Sequence, residues 1–377
     1  MNITHIITGL NDGGAEHTLY KICKYDTLNN HTVISLTGPG KYNSLLKKLK
    51  IKVYCLNANF LSIHKFFFLI KLIRFLQPEI IQTWLVHADL IGSFAARLAG
   101  FKKIVWNVRY SNFKIGKAKL FTIIIVQILS KLSFLIPQSI VINSKRAKKI
   151  YKIEGYNKKK LNYIPNGYDL SILKPNNFKK INFKKKNNFA KHIPLIGNIA
   201  RFDPKKDHIN LLKALALVAS KKLNFFCIFI GSDVDYNNKT LVSKIEELNI
   251  SKNIKLVGQY DDITEAMNGI DIYVQSSSYG EGFPNVVAEA MSCGTPCVVT
   301  DVGDAALIAK KSGWVVPPNN PKKLANAIEK ALIETGNISH KIRSVKARSI
   351  IKSKFDIKNM LNLYNKLWNK VYKCKSY

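Results

Sequence analysis

The sequence predicts an α/β protein built as two doubly wound domains in tandem, and three observations predict it. Short β-rich runs alternate with helix-period segments along both halves of the chain, the pattern of parallel sheets covered by helices on both faces. The 377 residues suffice for two domains, each with its own core. The composition, 47% hydrophobic, 10% aromatic and 22% charged, is that of a globular chain and excludes a disordered or fibrous one.

In the first half, strands are expected near residues 3–8, 32–37, 51–55, 80–82, 103–108, 140–142 and 162–164, with helices at about 15–24, 62–76, 87–99, 116–134 and 145–151. Residues 174–191 are rich in Lys and Asn, lack apolar periodicity and read as a linker. Alternation then resumes, with strands near 195–200, 225–230, 254–257, 271–275, 296–300 and 314–316 and helices at about 207–220, 238–248, 285–292 and 321–334. A last helical run, 356–373, has the length to pack back across the first domain. The expected division is a first domain 1–173, the linker 174–191, a second domain 192–355 and a C-terminal helix within 356–377. Open parallel sheets bind ligands beyond the carboxyl ends of their strands, so the cleft between the domains is the expected site.

The formal net charge is +35, from 59 Lys+Arg against 24 Asp+Glu, and only seven of the 59 are Arg. Before residue 190 there are 32 basic and 7 acidic residues, and after it 27 and 17, so the excess sits in the first half. Such an imbalance asks for an anionic partner. No aromatic-flanked basic motif, helix-turn-helix signal or zinc pattern is present, which points away from nucleic acid and toward an anionic membrane surface. Two apolar stretches, 60–76 and 120–136, carry Lys65, Lys71 and Arg74 in the first and Lys131 in the second. Neither suits a spanning helix; both suit a helix lying in the membrane interface, or one packed on the core with a solvated Lys edge.

The six cysteines are scattered, and the one close pair, Cys293 and Cys297, lacks the second pair that a zinc or disulfide framework needs, so reduced thiols are expected. Residues 1–9 lack a basic n-region and run into a Gly-rich turn, which reads as a first strand and a cytoplasmic chain.

Three segments carry candidate chemistry. The turn Asn11-Asp12-Gly13-Gly14-Ala15-Glu16 lets backbone N–H groups approach an anion at a helix start, although adjacent glycines also serve plain loop geometry. At the entry to the second domain, Arg201 and Lys206 stand five residues apart across a Pro-containing turn, able to hold a diphosphate as two cations or to remain solvated loop charges. The most informative run is Gly280-Glu281-Gly282-Phe283-Pro284-Asn285-Val286, with Glu289 one turn inside the helix that follows. Pro284 suits a helix start, so the amides of Asn285 and Val286 are open to a ligand, and the two acids are natural partners for sugar hydroxyls. Asp233-Val-Asp235 also matches a metal-binding Asp-x-Asp, but it follows Gly231 in a strand-to-helix loop and no metal is expected there.

Together with the Ile164-Pro-Asn-Gly167-Tyr-Asp169 turn and the stretch Gln82-Thr-Trp-Leu-Val-His87-Ala-Asp89-Leu, these segments, in this order, resemble the retaining glycosyltransferases of family four, in particular bacterial enzymes that build O-antigen or capsule units. The resemblance implies a GT-B architecture of two Rossmann-like domains, acceptor on the first and sugar nucleotide on the second. It implies that Arg201 and Lys206 grip the donor diphosphate, helped by the Gly13–Gly14 turn and the Asn285/Val286 helix end, with Phe283 and Pro284 completing the donor site. Glu289 would take the ribose hydroxyls, Glu281 the transferred sugar, and His87 would sit beside the anomeric carbon. It also implies a nucleoside diphosphate sugar donor, UDP-linked in the first instance, a polyprenyl-diphosphate-linked glycan acceptor, no cofactor or metal, and a peripheral place on the inner face of the cytoplasmic membrane. Competing expectations are a sugar-nucleotide epimerase on the same plan and a basic nucleic-acid-binding protein.

Overall fold

The computed structural model describes residues 1–58, 62–109 and 120–374; the first residues of the helix expected at 116–134, the start of the apolar stretch 60–76 and the last three residues lie outside these. The chain falls into two compact units, Met1–Gly167 with Ile357–Tyr377, and Tyr168–Asp356.

Among the described residues the first unit holds a seven-stranded parallel sheet. Its strands are β1 (Asn2–Ile7), β2 (Asn30–Ser35), β3 (Lys52–Cys55), β4 (Ile80–Trp84), β5 (Ile104–Val108), β6 (Ser139–Ile142) and β7 (Leu161–Tyr163), in the order β3-β2-β1-β4-β5-β6-β7. The second unit holds six parallel strands, β8 (Leu195–Ile199), β9 (Phe226–Ile230), β10 (Ile254–Leu256), β11 (Ile272–Gln275), β12 (Cys297–Thr300) and β13 (Trp314–Val316), in the order β10-β9-β8-β11-β12-β13. Both orders run outward from a central strand and then turn back, the doubly wound plan, with the reversal between β1 and β4 in one sheet and between β8 and β11 in the other. The central strands are apolar and buried on both faces, as parallel strands under helices must be.

The helix Ile357–Lys373 belongs to the first unit. Its buried Ile357, Met360, Tyr364, Leu367, Trp368 and Val371 recur at helical spacing and join the cluster that includes Leu19, Ile22 and Trp84. Two polar bonds fix its register: the Trp368 indole N–H donates to Gln82 Oε1 at 2.7 Å, and the Asn107 amide donates to the Tyr364 hydroxyl at 2.8 Å.

The segment expected as a linker is instead in part a helix, Asn177–Lys186, within the second unit. Phe183 is buried against Gly269, and the Lys180 and Lys184 ammonium groups lie 2.6 and 2.7 Å from the Asp271 carboxylate. Burial alone would push the Asp271 carboxyl up; the two lysines outweigh it and hold it below the ordinary value. A run that looks solvated is ordered by one aromatic and a distant acid. The helices Lys41–Lys48, Ile263–Gly269, Ala305–Ala309 and Ile338–Lys354 were not expected either. The last is 17 residues long yet buries only Ala347 and Ile351, too few for an apolar stripe to be read from its sequence.

Both apolar stretches form helices. Ile63–Leu76 buries Leu69, Ile70, Leu72 and Ile73 and exposes Phe67, Phe68 and Phe75; Leu120–Leu132 buries Ile125, Val126 and Leu129 and exposes Phe121, Ile124 and Ile128. Each is therefore apolar on two sides. Among the described residues no helix is long and apolar enough to cross a membrane. The six cysteines are free thiols, four of them buried.

Candidate active site

The second sheet reverses order between β8 and β11, and the segments leaving these strands meet in a pocket of about 170 Å³. Asn198 near the end of β8 and Gln275 at the end of β11 are amides in otherwise apolar strands, and both line it. Asn198 Oδ1 and Gln275 Oε1 are buried without a hydrogen-bond partner among the described residues. Two such acceptors facing one pocket call for a donor-bearing ligand, because a buried unpaired carbonyl costs about 1–3 kcal/mol.

Two loops close over this end of the sheet. The loop that follows β8 is tied to the one that follows β11: Ser276 Oγ donates to the Lys206 carbonyl at 2.8 Å, and Ser278 N donates to the Lys205 carbonyl at 2.8 Å. Gly303, with φ +60, lies so close that a Cβ there would stand 2.5 Å from the Gly282 carbonyl oxygen, and the Asp304 N–H donates to that same oxygen. The Glu281 loop is thereby braced from both sides.

Lys206 and Glu281, chosen from the sequence as a phosphate cation and a sugar acid, are paired with each other at 2.5 Å inside the pocket. Ser277 Oγ donates to the same carboxylate oxygen at 2.7 Å. Burial would push the Glu281 carboxyl up, but the Lys206 ammonium and the bonds from Ser277 and Gln275 hold it below the ordinary value. It is a carboxylate at neutral pH. Phe283 packs on Tyr168 and Phe355, and Pro284 opens the helix Asn285–Ser292 with no side-chain cap, so the Asn285 and Val286 amides face the pocket they line. The Tyr168 hydroxyl donates to Asn285 Oδ1 at 2.6 Å and holds that helix start in place.

Arg201 and Glu289 stand beside this pocket, outside its lining. The Arg201 guanidinium is mostly exposed and bonds Asp203 Oδ2 at 3.1 Å. Glu289 lies one turn along the helix; burial first, then Cys297, Glu281 and Glu289, push the Tyr273 phenol up, which places both acids near that ring.

The remaining candidates, Gly13, Gly14 and His87, lie in the first unit. Gly13 caps the helix Gly14–Tyr25, but the Glu16 carboxylate folds back over it: a Cβ on Gly13 would lie 2.4 Å from Glu16 Oε2. Burial raises the Glu16 carboxyl, with bonds from the Glu16 and Ala15 amides opposing that rise. The helix start thus already faces an acid of its own chain. His87 lies at the start of the helix Val86–Leu98, just past β4, and its ring stacks on Phe121 with centroids 6.3 Å apart.

Sequence reasoning missed Arg109, which follows β5. Its guanidinium donates to Asn166 Oδ1 at 2.6 Å, Thr18 Oγ1 at 3.2 Å and Asn107 Oδ1 at 2.8 Å, joining the Gly14 helix to the Pro165-Asn166-Gly167 turn. The only available signal was an Arg at the carboxyl end of an apolar strand in a chain that otherwise uses Lys.

One cluster has metal-like geometry among the described residues, the buried His5, Cys23 and His31, whose ligand atoms lie within 4.8 Å of one another. The Trp84 indole N–H donates to His5 Nδ1 at 3.2 Å, so the His5 proton sits on Nε2, facing His31 Nδ1 at 3.0 Å, and His31 Nε2 faces Asp26 Oδ2 at 3.2 Å. Every imidazole lone pair is taken, and the two histidines form a closed hydrogen-bond chain from Trp84 to Asp26. Asp235, from the Asp-x-Asp sequence, accepts from Asn237 N at 2.9 Å in a local turn.

The chain is similar to known proteins over part or all of its length. Residues 179–348 match the family described as glycosyl transferases group 1. The putative glycosyltransferase EpsF of Bacillus subtilis is 30% identical over 148 residues, 38% of this chain and 37% of that protein. The UDP-Gal:alpha-D-GlcNAc-diphosphoundecaprenol alpha-1,3-galactosyltransferase of Escherichia coli is 25% identical over 274 residues, 69% of this chain and 68% of that protein. The match thus spans little more than a third of the first relative and about two thirds of the second. The crystal structure of Anabaena HepE in complex with UDP superposes with a TM-score of 0.85 at 20% identity, covering 98% of this chain and all of that one. Residues 179–348 thus resemble the glycosyl transferases group 1, and the two doubly wound sheets give the chain the GT-B fold of its structural neighbours.

Proposed function

We propose that this protein is a metal-independent, retaining glycosyltransferase that moves a hexose or N-acetylhexosamine from a UDP-linked donor to a polyprenyl-diphosphate-linked glycan. The observation that carries the reading is the Lys206–Glu281 pair, set beside two unpartnered amide oxygens and the start of the helix Asn285–Ser292, which has no side-chain cap. The pair is a preformed division of labour. On donor entry Lys206 turns from Glu281 to the diphosphate, and Glu281 accepts hydroxyls of the transferred sugar, so neither group is left uncompensated. Glu289 takes the ribose hydroxyls, and Arg201 leaves Asp203 to add a second cation.

As the glycosidic bond breaks, negative charge grows on the leaving diphosphate, where the Lys206 and Arg201 cations and the Asn285 and Val286 amides stabilise it without a divalent ion. The acceptor hydroxyl attacks from the same face, and its proton passes to the leaving phosphate, with His87 the second candidate. The name of the E. coli relative, which specifies a UDP-sugar and a diphosphoundecaprenol acceptor, supports this donor and acceptor class. The basic first unit, with exposed Phe67, Phe68, Phe121 and Ile124 near Lys71, Arg74 and Lys131, supports a peripheral seat on an anionic inner membrane face, where each basic residue contributes about 1 kcal/mol.

The test is transfer from a panel of UDP-sugars to a synthetic prenyl-diphosphate sugar, with and without EDTA, reading anomeric configuration by NMR. Retention with unchanged turnover in EDTA is expected. Loss of turnover on chelation overturns metal independence, and conversion of donor to an isomer without acceptor identifies an epimerase.

A further inference from the structure

The first sheet has a crevice at its own reversal, between β1 and β4, and it is large and apolar. Thr8, just past β1, and His87, just past β4, line a cavity of about 510 Å³, whose walls include Leu36, Leu56, Leu69, Phe66 and Ile91. Its volume falls in the range of small-molecule sites, about 300–1,000 Å³. Aliphatic walls of this kind offer few partners to a sugar, whose hydroxyls would lose water without replacement. They suit hydrocarbon.

The surroundings say which hydrocarbon. Ile63 lines the cavity and is 72% exposed, and Phe67 on the next turn of that helix is 57% exposed. Phe121, 49% exposed, stacks on His87, so apolar surface is found on the outer faces of two helices that also contribute to or touch the cavity lining. A chain partly held in a bilayer could follow that surface inward without crossing water. The polar members of the lining, Thr8, Thr37, Ser62, Lys65 and His87, are suited to a head group. Lys65 supplies a cation, and Thr8 Oγ1 is buried with no hydrogen-bond partner among the described residues.

We infer that this cavity holds the first isoprenoid segment of a prenyl-diphosphate acceptor, with Lys65 facing its phosphates. The inference rests on the acceptor class proposed above and assigns that acceptor a seat.

The test uses farnesyl diphosphate below its micelle concentration, with inorganic diphosphate and dodecyl phosphate as controls, titrated calorimetrically into the full chain. Farnesyl diphosphate is expected to bind at least tenfold more tightly than either control. Ala58→Trp and Ile91→Trp, which fill the cavity from different walls, are expected to weaken it at least tenfold while leaving UDP affinity and the melting temperature unchanged. Failure of farnesyl diphosphate to bind overturns the inference, as does unchanged affinity in whichever filled variant folds. Inorganic diphosphate binding as tightly overturns the apolar seat, and dodecyl phosphate binding as tightly overturns the isoprenoid assignment. UDP titration in the same samples reports the donor reading separately, so either can fail alone.

Discussion

In the first sheet the strand order turns back between β1 and β4, in the second between β8 and β11, and the two crevices have opposite chemistry. The second is small and polar, with a carboxylate paired to a lysine and two amide oxygens awaiting donors. The first is three times larger and walled by aliphatic side chains. Two buried acids, Glu281 in the second crevice and Asp89 in the first unit but outside the lining of its cavity, differ in the same sense. Glu281 is held below its ordinary value against the pull of burial by Lys206, whereas Asp89, two residues past His87, has only the Thr83 hydroxyl at 2.6 Å and a backbone amide to oppose burial, and its carboxyl is pushed up to about 8. One topology therefore holds an ionised buried acid and a neutral one, and the choice lies in whether a cation was placed within reach.

The largest effect that would break this contrast is one of pH. Asp89 binds its proton more tightly in the folded chain than in the unfolded one, so stability contributed at low pH is lost as pH rises from about 4 to about 8, by up to about 1.4 kcal/mol per pH unit. Asp89→Asn should flatten that decline in chemical denaturation curves; an unchanged slope would mean the acid is already ionised. Next in size, Lys206→Ala should weaken UDP binding by about 1.5–3 kcal/mol, roughly ten- to a hundredfold by calorimetry, and leave the affinity for farnesyl diphosphate alone. Glu281→Gln should lower kcat/KM for transfer at least tenfold while UDP without its sugar binds as before; equal turnover would remove Glu281 from the sugar site. Smallest is Arg201→Ala. A guanidinium that is exposed and must give up Asp203 to reach the diphosphate should cost donor affinity about 1 kcal/mol when lost, less than Lys206, and an unchanged donor affinity would take Arg201 out of the site.

The same contrast shows what a sequence discloses. Strand and helix alternation was legible because a buried parallel strand and an amphipathic helix each leave a local pattern, and the Gly280–Val286 turn was legible because its glycines and proline sit within a few residues of one another. What brings residues together across the chain was not. The pairing of Lys206 with Glu281 joins positions 75 apart, and the unpartnered oxygens of Asn198 and Gln275 exist only once β8 and β11 lie side by side. The helix Asn177–Lys186 was hidden for the same reason, since Asp271, which steadies it, lies about 90 residues away. The apolar cavity leaves no motif at all, being a space between elements that each look like ordinary core.

The helix Ile357–Lys373 supplies Trp368 to Gln82 and Tyr364 to Asn107 in the unit that begins the chain. On the ribosome this inverts the usual order of completion. The unit spanning Tyr168–Asp356 is fully synthesised while the earlier one still lacks its last element, with Trp84 and its neighbours uncovered on one face of the sheet. Released chains truncated just before residue 357 should therefore carry a finished second unit and an unfinished, chaperone-recruiting companion.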